Sequence, residues 1–230
     1  MQVTRITETV FQVTLPIVNA FLVDLPSGLL LIDTGPKNSK DEIFAAIRHI
    51  GKQPENLKYI IVTHAHHDHA GSLAAILKVV NVPVFASPLC AEMLKTGIAF
   101  EPESKIFSFL LKLITGFGLI RLPFIYIDPI ISPIKTVSEG DVVPDKNGLQ
   151  IINAPGHTAE QIALFYPIKE ALLFAVDAAE NLKKLKPSFA YQSARINQKT
   201  LKKLSAYPFK PVVFGHGNGS NKKNFIKLLS

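Results

Sequence analysis

Residues 63–69 read Thr-His-Ala-His-His-Asp-His. His64, His66, Asp68 and His69 offer three imidazoles and one carboxylate within one short stretch. That mixture suits a buried pair of metal ions: neutral nitrogen ligands add no charge, and one hard oxygen ligand offsets the cations. His67 has the wrong parity for this set, so it is expected to face solvent or to back the others. Three more candidate ligands follow in order, each in a turn or at a strand end. His157 sits in Ala-Pro-Gly-His-Thr, Asp177 ends the apolar run Leu172–Val176, and His216 sits in Phe-Gly-His-Gly after Pro211–Phe214. A solitary loop histidine is usually a surface residue. Together these residues supply enough ligands for two metal sites. His49, beside Arg48 on an expected helix, is read as exposed.

The elements that must carry these residues can be read from periodicity. Val3–Leu15, Asn19–Asp24 and Leu29–Asp33 read as strands, with Pro26-Ser27-Gly28 as a turn. Lys40–Ile50 has helical spacing at Ile43, Phe44, Ile47 and Ile50, and Gly51 closes it. Tyr59–Thr63 is a continuous apolar strand that delivers the histidine-rich loop at its carboxyl end. Ser72–Val80 reads as a helix and Val82–Ser87 as a strand. A second half repeats the theme, with strands at Lys135–Val137, Gln150–Ala154, Ile162–Tyr166, Ala171–Val176 and Pro211–Phe214. Helices are expected at Gln198–Ala206 and Asn221–Leu229. Two sheet-plus-helix halves with ligands at strand ends fit an α/β fold, a four-layer αββα sandwich. Residues 1–230 are long enough for one such domain.

Residues 91–134 interrupt the pattern as a mainly helical, apolar insertion. Its stretch Ile106–Ile127 carries only Lys112 and Arg121 as charges. The length approaches a membrane span, but Gly116, Gly118, Pro123 and the two cations argue against one. Three readings remain open: a lid favouring a substrate with an apolar arm, a contact between subunits of a homodimer, or residues that are simply core. Composition is that of a globular chain, 47% hydrophobic and 19% charged. The single cysteine, Cys90, excludes an internal disulfide and reads as a core residue. Met1–Leu15 lacks the basic-then-apolar layout of a signal peptide, so the expected location is cytoplasmic. The net charge of +7 is spread over short lysine runs, read as solvated helix faces, although a basic field attracts any polyanion.

In motif order and over nearly its whole length, the chain resembles the metallo-β-lactamase superfamily. The resemblance implies the αββα fold and a hydrolase with two divalent ions. His64, His66 and His157 would hold the first; Asp68, His69 and His216 the second, with Asp177 bridging. A carboxylate can span ions ~3.5–4 Å apart, and a water between them loses a proton near pH ~7. The bridging hydroxide would attack a carbonyl or phosphoryl centre, with Asp68 holding its remaining proton as the catalytic residue. No G-x-S-x-G signature suggests a serine nucleophile. Nitrogen-rich ligation makes zinc the default, and iron or manganese also suit the set. Gly-Leu-Leu-Leu-Ile-Asp-Thr-Gly at 28–35 is a further family feature; Asp33 either supports the metal loop or forms a turn.

The chain departs from the family at Val176, where glycine is usual, and at Ala159-Glu160-Gln161, where small residues are usual. Val176 is expected to tilt the strand end. Glu160 and Gln161 are expected near the mouth, touching substrate or capping a helix. The resemblance is to glyoxalase II-like and lactonase-like members, implying a small ester, thioester or lactone as substrate. Fourteen residues follow His216 (230 − 216), too few for the glutathione-binding domain of glyoxalase II. A β-lactamase is disfavoured by Asp177, which those enzymes replace. The alternative is a phosphodiesterase or RNA-processing nuclease, weakened by an apolar rather than basic insertion. Tyr191, Ser193 and Arg195 have two readings, substrate contacts or the start of the Gln198 helix.

Overall fold

A computed structural model describes residues 1–99, 126–167, 170–188 and 191–229. The first half supplies β1 (Gln2–Arg5), β2 (Val10–Thr14), β3 (Asn19–Leu25), β4 (Gly28–Ile32), α1 (Lys40–His49), β5 (Leu57–Ile61), α2 (His67–Ala70), α3 (Leu73–Leu77), β6 (Val84–Ala86) and α4 (Pro88–Thr96). Then come β7 (Ile134–Thr136), β8 (Val142–Val143), β9 (Leu149–Asn153), β10 (Ile162–Tyr166), β11 (Leu172–Val176), β12 (Ala179–Glu180) and β13 (Lys186–Pro187). The chain closes with α5 (Ala194–Ser205), β14 (Pro211–Phe214), β15 (Ser220–Asn221) and α6 (Lys222–Ile226).

Strands β1 to β7 form one sheet in sequence order, antiparallel as far as β4 and parallel from β4 to β7. The second sheet runs β15-β14-β11-β10-β9-β8, with β11 and β14 parallel. Side-chain alternation divides the core into three layers of contact. Leu29 and Leu31 of β4 pack with Ile43, Ile47, Leu73, Ile76 and Leu94, on the helical side of the first sheet. Leu30 and Ile32 point the other way, meeting Ile151, Leu164 and Phe174 of the second sheet. Leu173 and Ala175 of β11 face outward against Leu201, Leu204 and Phe225. The layers are therefore helix, sheet, sheet, helix. Because the central strands are buried on both faces, they read as unbroken apolar runs rather than alternating ones. Phe21 and Phe174 meet edge-on between the sheets, with ring centroids 5.3 Å apart.

Several expected elements shift. Val3–Leu15 is two strands, since Ile6 and Thr7 turn back to bond Val10 O. The strand at 134–136 joins the edge of the first sheet, not the second. Helix α5 begins four residues before Gln198, with Ser193 accepting from the Ile196 N–H as N-cap. The expected helix at 221–229 is α6 followed by a 3₁₀ turn at Lys227–Leu229. Helix α4 starts three residues before the expected helical insertion at 91–134 and runs into it. Ser87 caps it, Pro88 opens it, and Gly97 ends it in the left-handed region at φ 75°, a conformation that side chains resist.

Most of the run Ile106–Ile127 lies outside the described residues. On either side of residues 100–125, Ile98 and Tyr126 form an isolated antiparallel bridge, and Ile127 N–H bonds Gly97 O at 3.0 Å. Among the described residues, no helix is long and apolar enough to cross a membrane.

Candidate metal centre

Five of the seven candidate ligands lie at carboxyl ends of strands or in the loops that follow, and the other two on the short helix α2. His64 and His66 follow β5, and His66 precedes α2, which holds Asp68 and His69. His157 lies in the β9–β10 turn, Asp177 directly after β11, and His216 two residues after β14. Both sheets end at this point and are tied there by backbone bonds. Ile162 N–H bonds Thr63 O at 3.0 Å, and Asn19 N–H bonds Gly215 O at 2.7 Å.

All seven side chains converge. Ligand atoms of His64, His66 and His157 lie within 4.8 Å of one another, as do those of Asp68, His69 and His216, and those of His64, His69 and Asp177. Asp177 Oδ2 is the hub. It lies 3.9 Å from His64 Nε2, 3.4 Å from His69 Nε2, 3.4 Å from His157 Nε2 and 3.2 Å from His216 Nε2. Asp68 Oδ2 stands 3.5 Å from His216 Nε2 and 4.0 Å from His69 Nε2. His66 turns Nδ1 toward His157 Nε2 at 3.0 Å. Two ligands on one tetrahedral ion, each about 2.0–2.1 Å from it, stand about 3.3–3.4 Å apart. The observed separations bracket that value.

Hydrogen bonds behind the site fix two tautomers. Asp33 Oδ2 accepts from His69 Nδ1 at 2.8 Å and from Thr63 Oγ1 at 2.8 Å. The Thr63 hydroxyl, having given its proton to Asp33, accepts from His64 Nδ1 at 3.1 Å. Both histidines therefore carry a proton on Nδ1 and turn Nε2 into the site. Those two Nε2 atoms and Asp177 Oδ1 are buried without a hydrogen-bond partner. Orphaned acceptors of this kind are costly in a metal-free core and are what a cation would satisfy. The donor set thus fits divalent metal ions. Of the two readings of Asp33, the supporting one holds: its buried carboxylate accepts from Thr63 N–H and His69 Nδ1 behind the histidine-rich loop, and its backbone is left-handed at φ 58° without forming a turn.

The electrostatics follow from burial and crowding. Burial, then the neighbouring imidazoles of His69 and His66, hold His64 well below the ordinary histidine range. Burial and His157 lower His66 to about 3. Burial opposes the charge on Asp177, but His69 and the bond from His216 outweigh it and keep the carboxyl well below its usual range. His69 moves upward, because Asp177, Asp33 and Asp68 overcome its burial.

Several local features had other roles than the sequence suggested. Val176 takes φ 48° and sits at a register shift between β11 and β14, which explains why glycine suits that position. Glu160 is not at a mouth. It is buried, and its Oε1 accepts from the Ala65 N–H at 3.4 Å, between two candidate ligands. Gln161 is buried too, bonding Ala154 O at 3.1 Å. Ser193 caps α5, while Gln192 and Ser193 N–H groups bond His157 O and Gly156 O at 2.9 Å each. Tyr191, Arg195 and His49 are exposed. Sequence reasoning missed the Ile17 carbonyl, which accepts from His216 Nδ1 at 2.6 Å, and Ser188, whose Oγ is 3.4 Å from His157 Nδ1. A backbone acceptor leaves no mark in residue type, so no local signal reveals Ile17.

A family model described as the metallo-beta-lactamase superfamily matches residues 13–216. The chain belongs to that superfamily. Its αββα layering and its His/Asp cluster are those of a metal-dependent hydrolase of this superfamily. An N-acyl homoserine lactonase from Bacillus sp is 25% identical, the match covering 85% of this chain and 79% of the lactonase. A ribonuclease J from Sinorhizobium meliloti is 48% identical over 61 residues, 26% of this chain and only 11% of that protein. A subclass B3 metallo-beta-lactamase from a soil metagenome library superposes with a TM-score of 0.73 at 20% identity, over 94% of this chain and 80% of that one. At that identity the superposition speaks for the fold alone.

Proposed function

We propose that this metallo-hydrolase binds two zinc ions and cleaves a small ester, thioester or lactone. His64, His66 and His157 would hold one ion, and Asp68, His69 and His216 the other, with Asp177 between them. The observation that carries this reading is the single oxygen, Asp177 Oδ2, standing 3.2–3.9 Å from imidazole nitrogens of both groups. Bound there, two divalent ions supply a Lewis acid for a carbonyl oxygen and a water acidic enough to react near neutral pH. The remaining work falls to the chain. Asp33 and Thr63 keep His64 and His69 in the tautomer that leaves Nε2 bare. Burial of His64, His69 and Asp177 excludes bulk water from behind the site. Asp68 is the catalytic carboxylate. It is less buried than Asp177, and His69 and His216 outweigh its burial, so it is ionised and acts purely as an acceptor. Its Oδ2 takes a hydrogen bond from the attacking water and orients it toward the carbonyl carbon.

The lactone is favoured among substrates because the lactonase resemblance spans most of both chains. A phosphodiester is the second reading. It draws on the ribonuclease J match and on one charge asymmetry. From Ala171 to Leu229 the acids are Asp177 and Glu180, both buried, so every exposed charged side chain there is lysine or arginine.

The test combines zinc analysis with turnover of an N-acyl homoserine lactone, a thioester and bis-p-nitrophenyl phosphate. Two zinc equivalents and lactone or thioester hydrolysis are expected, abolished in His66→Ala and Asp68→Ala. Phosphodiester cleavage with no acyl hydrolysis would reverse the ranking.

A further inference from the structure

His216 sits between two glycines, and neither can brace it. Gly215 must stay bare, because a Cβ there would collide with Asp177 Oδ1. Gly217 has φ 84° and packs on the Asn181 backbone. A Gly-His-Gly segment is conformationally soft, so the imidazole must be aimed from outside. The bracing comes from the opposite sheet, some two hundred residues earlier in the chain.

Asn19, at the start of β3, is buried. Its side-chain Nδ2 donates to Phe214 O at 3.1 Å and to Gly217 O at 2.7 Å, and its backbone N–H donates to Gly215 O at 2.7 Å. These three bonds bracket His216 on both sides. Gln12, buried on the adjacent strand β2, donates Nε2 to Asn19 Oδ1 at 3.0 Å. That bond fixes the Asn19 amide with its NH₂ toward the two carbonyls. Two residues before Asn19, the Ile17 carbonyl accepts from His216 Nδ1 at 2.6 Å. A carbonyl can only accept, so Nδ1 carries the proton. The ring's Nε2 is thereby turned to Asp177 Oδ2 and Asp68 Oδ2, at 3.2 and 3.5 Å. Further ties come from within the second half of the chain: Asn181 N–H bonds His216 O at 3.0 Å, and Gly215 N–H bonds Val176 O at 3.2 Å.

We propose that Asn19, held by Gln12, is a positioning residue that aims His216 and sets its tautomer for the site formed with Asp68 and His69. The inference rests on the two-metal reading above. A simple tie between sheets would need bonds to any part of β14. Here every side-chain donor of Asn19 goes to a carbonyl flanking His216, and the same hairpin supplies the ring's own acceptor. No ligand of the other group, His64, His66 or His157, lies on the segment that Asn19 holds.

The experiment compares wild-type protein with Asn19→Asp, which keeps the shape and the acceptor for Gln12 but sets lone pairs against two carbonyl oxygens. Ile43→Ala, a core change on α1, serves as a control for lost stability alone. Zinc affinity of each of the two equivalents is read by chelator competition. The ¹⁵N signals of the His216 ring are read in zinc-free protein at alkaline pH, where the ring is neutral, assigned by their loss in His216→Gln. In Asn19→Asp one zinc equivalent weakens about 10- to 100-fold while the other holds, and the pure Nδ1–H signature of His216 becomes a tautomer mixture. Ile43→Ala changes neither. Both equivalents retained at wild-type affinity, or both weakened alike, would overturn the proposal while leaving the metal reading intact. A wild-type protein that takes up no second zinc would sink both. Should Asn19→Asp not fold, Gln12→Met removes the donor that orients Asn19. It is read by the same two signals, with a smaller effect in the same direction expected and no effect counting against the clamp.

Discussion

At the scale of single residues, the centre is governed by acceptors that orient imidazoles rather than by the imidazoles alone. Asp33 accepts three bonds, from Thr63 N–H, Thr63 Oγ1 and His69 Nδ1. Asparagine at this position keeps the volume but can satisfy at most part of that set. Asp33→Asn is therefore expected to weaken zinc binding about 10- to 100-fold, read by chelator competition. Val176 presents a different conflict. Its left-handed backbone costs about 1–3 kcal/mol in a β-branched residue, while burying its side chain between the sheets contributes about 1.5–3 kcal/mol. The two nearly cancel. Val176→Gly loses the burial and relieves the strain, whereas Val176→Ala loses part of the burial and keeps much of the strain. Urea midpoints are expected to place Val176→Gly at least as high as Val176→Ala, the reverse of the usual order inside a strand.

At the scale of elements, helix ends do two jobs here. The N-terminus of α5 is capped by Ser193 Oγ, and the same turn holds the His157 loop by two backbone bonds. Those bonds do not involve the hydroxyl. Ser193→Ala should cost about 1 kcal/mol of stability, seen as a lowered thermal midpoint, with zinc affinity unchanged. This end of α5 also marks where sequence reading fell short. The apolar periodicity of Leu201 and Leu204 announces the helix body, but its first turn is polar, so the start was placed four residues late. By contrast, β4, β5, β10 and β11 were legible because burial on both faces writes an unbroken apolar run. The candidate ligands were legible because a metal site would demand particular residue types, mostly at strand ends. Their supports were not. The Ile17 carbonyl, the Asn19 amide and the buried Glu160 act across chain separations that no local pattern encodes. The edge strands β8, β12 and β13 are two residues each, too short to carry a period.

At the scale of the whole molecule, ligands from both sheets meet at one seam, so occupancy of the centre and stability of the fold are linked. An ion that binds the folded chain at a thousandfold excess over its dissociation constant adds about 4 kcal/mol, and chelation is expected to lower the thermal midpoint accordingly. Without metal, pH takes over. His64 lies well below the usual histidine value and His66 falls to about 3, so the folded state refuses protons that the unfolded chain accepts below about pH 6.5. Stability must then fall as pH drops from about 6.5, by up to about 1.4 kcal/mol per pH unit for each group. His69 and His216 are raised, so their contribution is complete below about pH 6.5 and leaves this slope unchanged. Asp177 is lowered, and its contribution is lost only below about pH 4, where the unfolded carboxylate takes a proton. The window between pH 6.5 and 4 is thus the one in which the two depressed histidines act. Thermal unfolding of chelator-treated protein should show a midpoint that declines steadily across that window, and His66→Ala should flatten the decline. An equally steep decline in His66→Ala would place the proton uptake elsewhere.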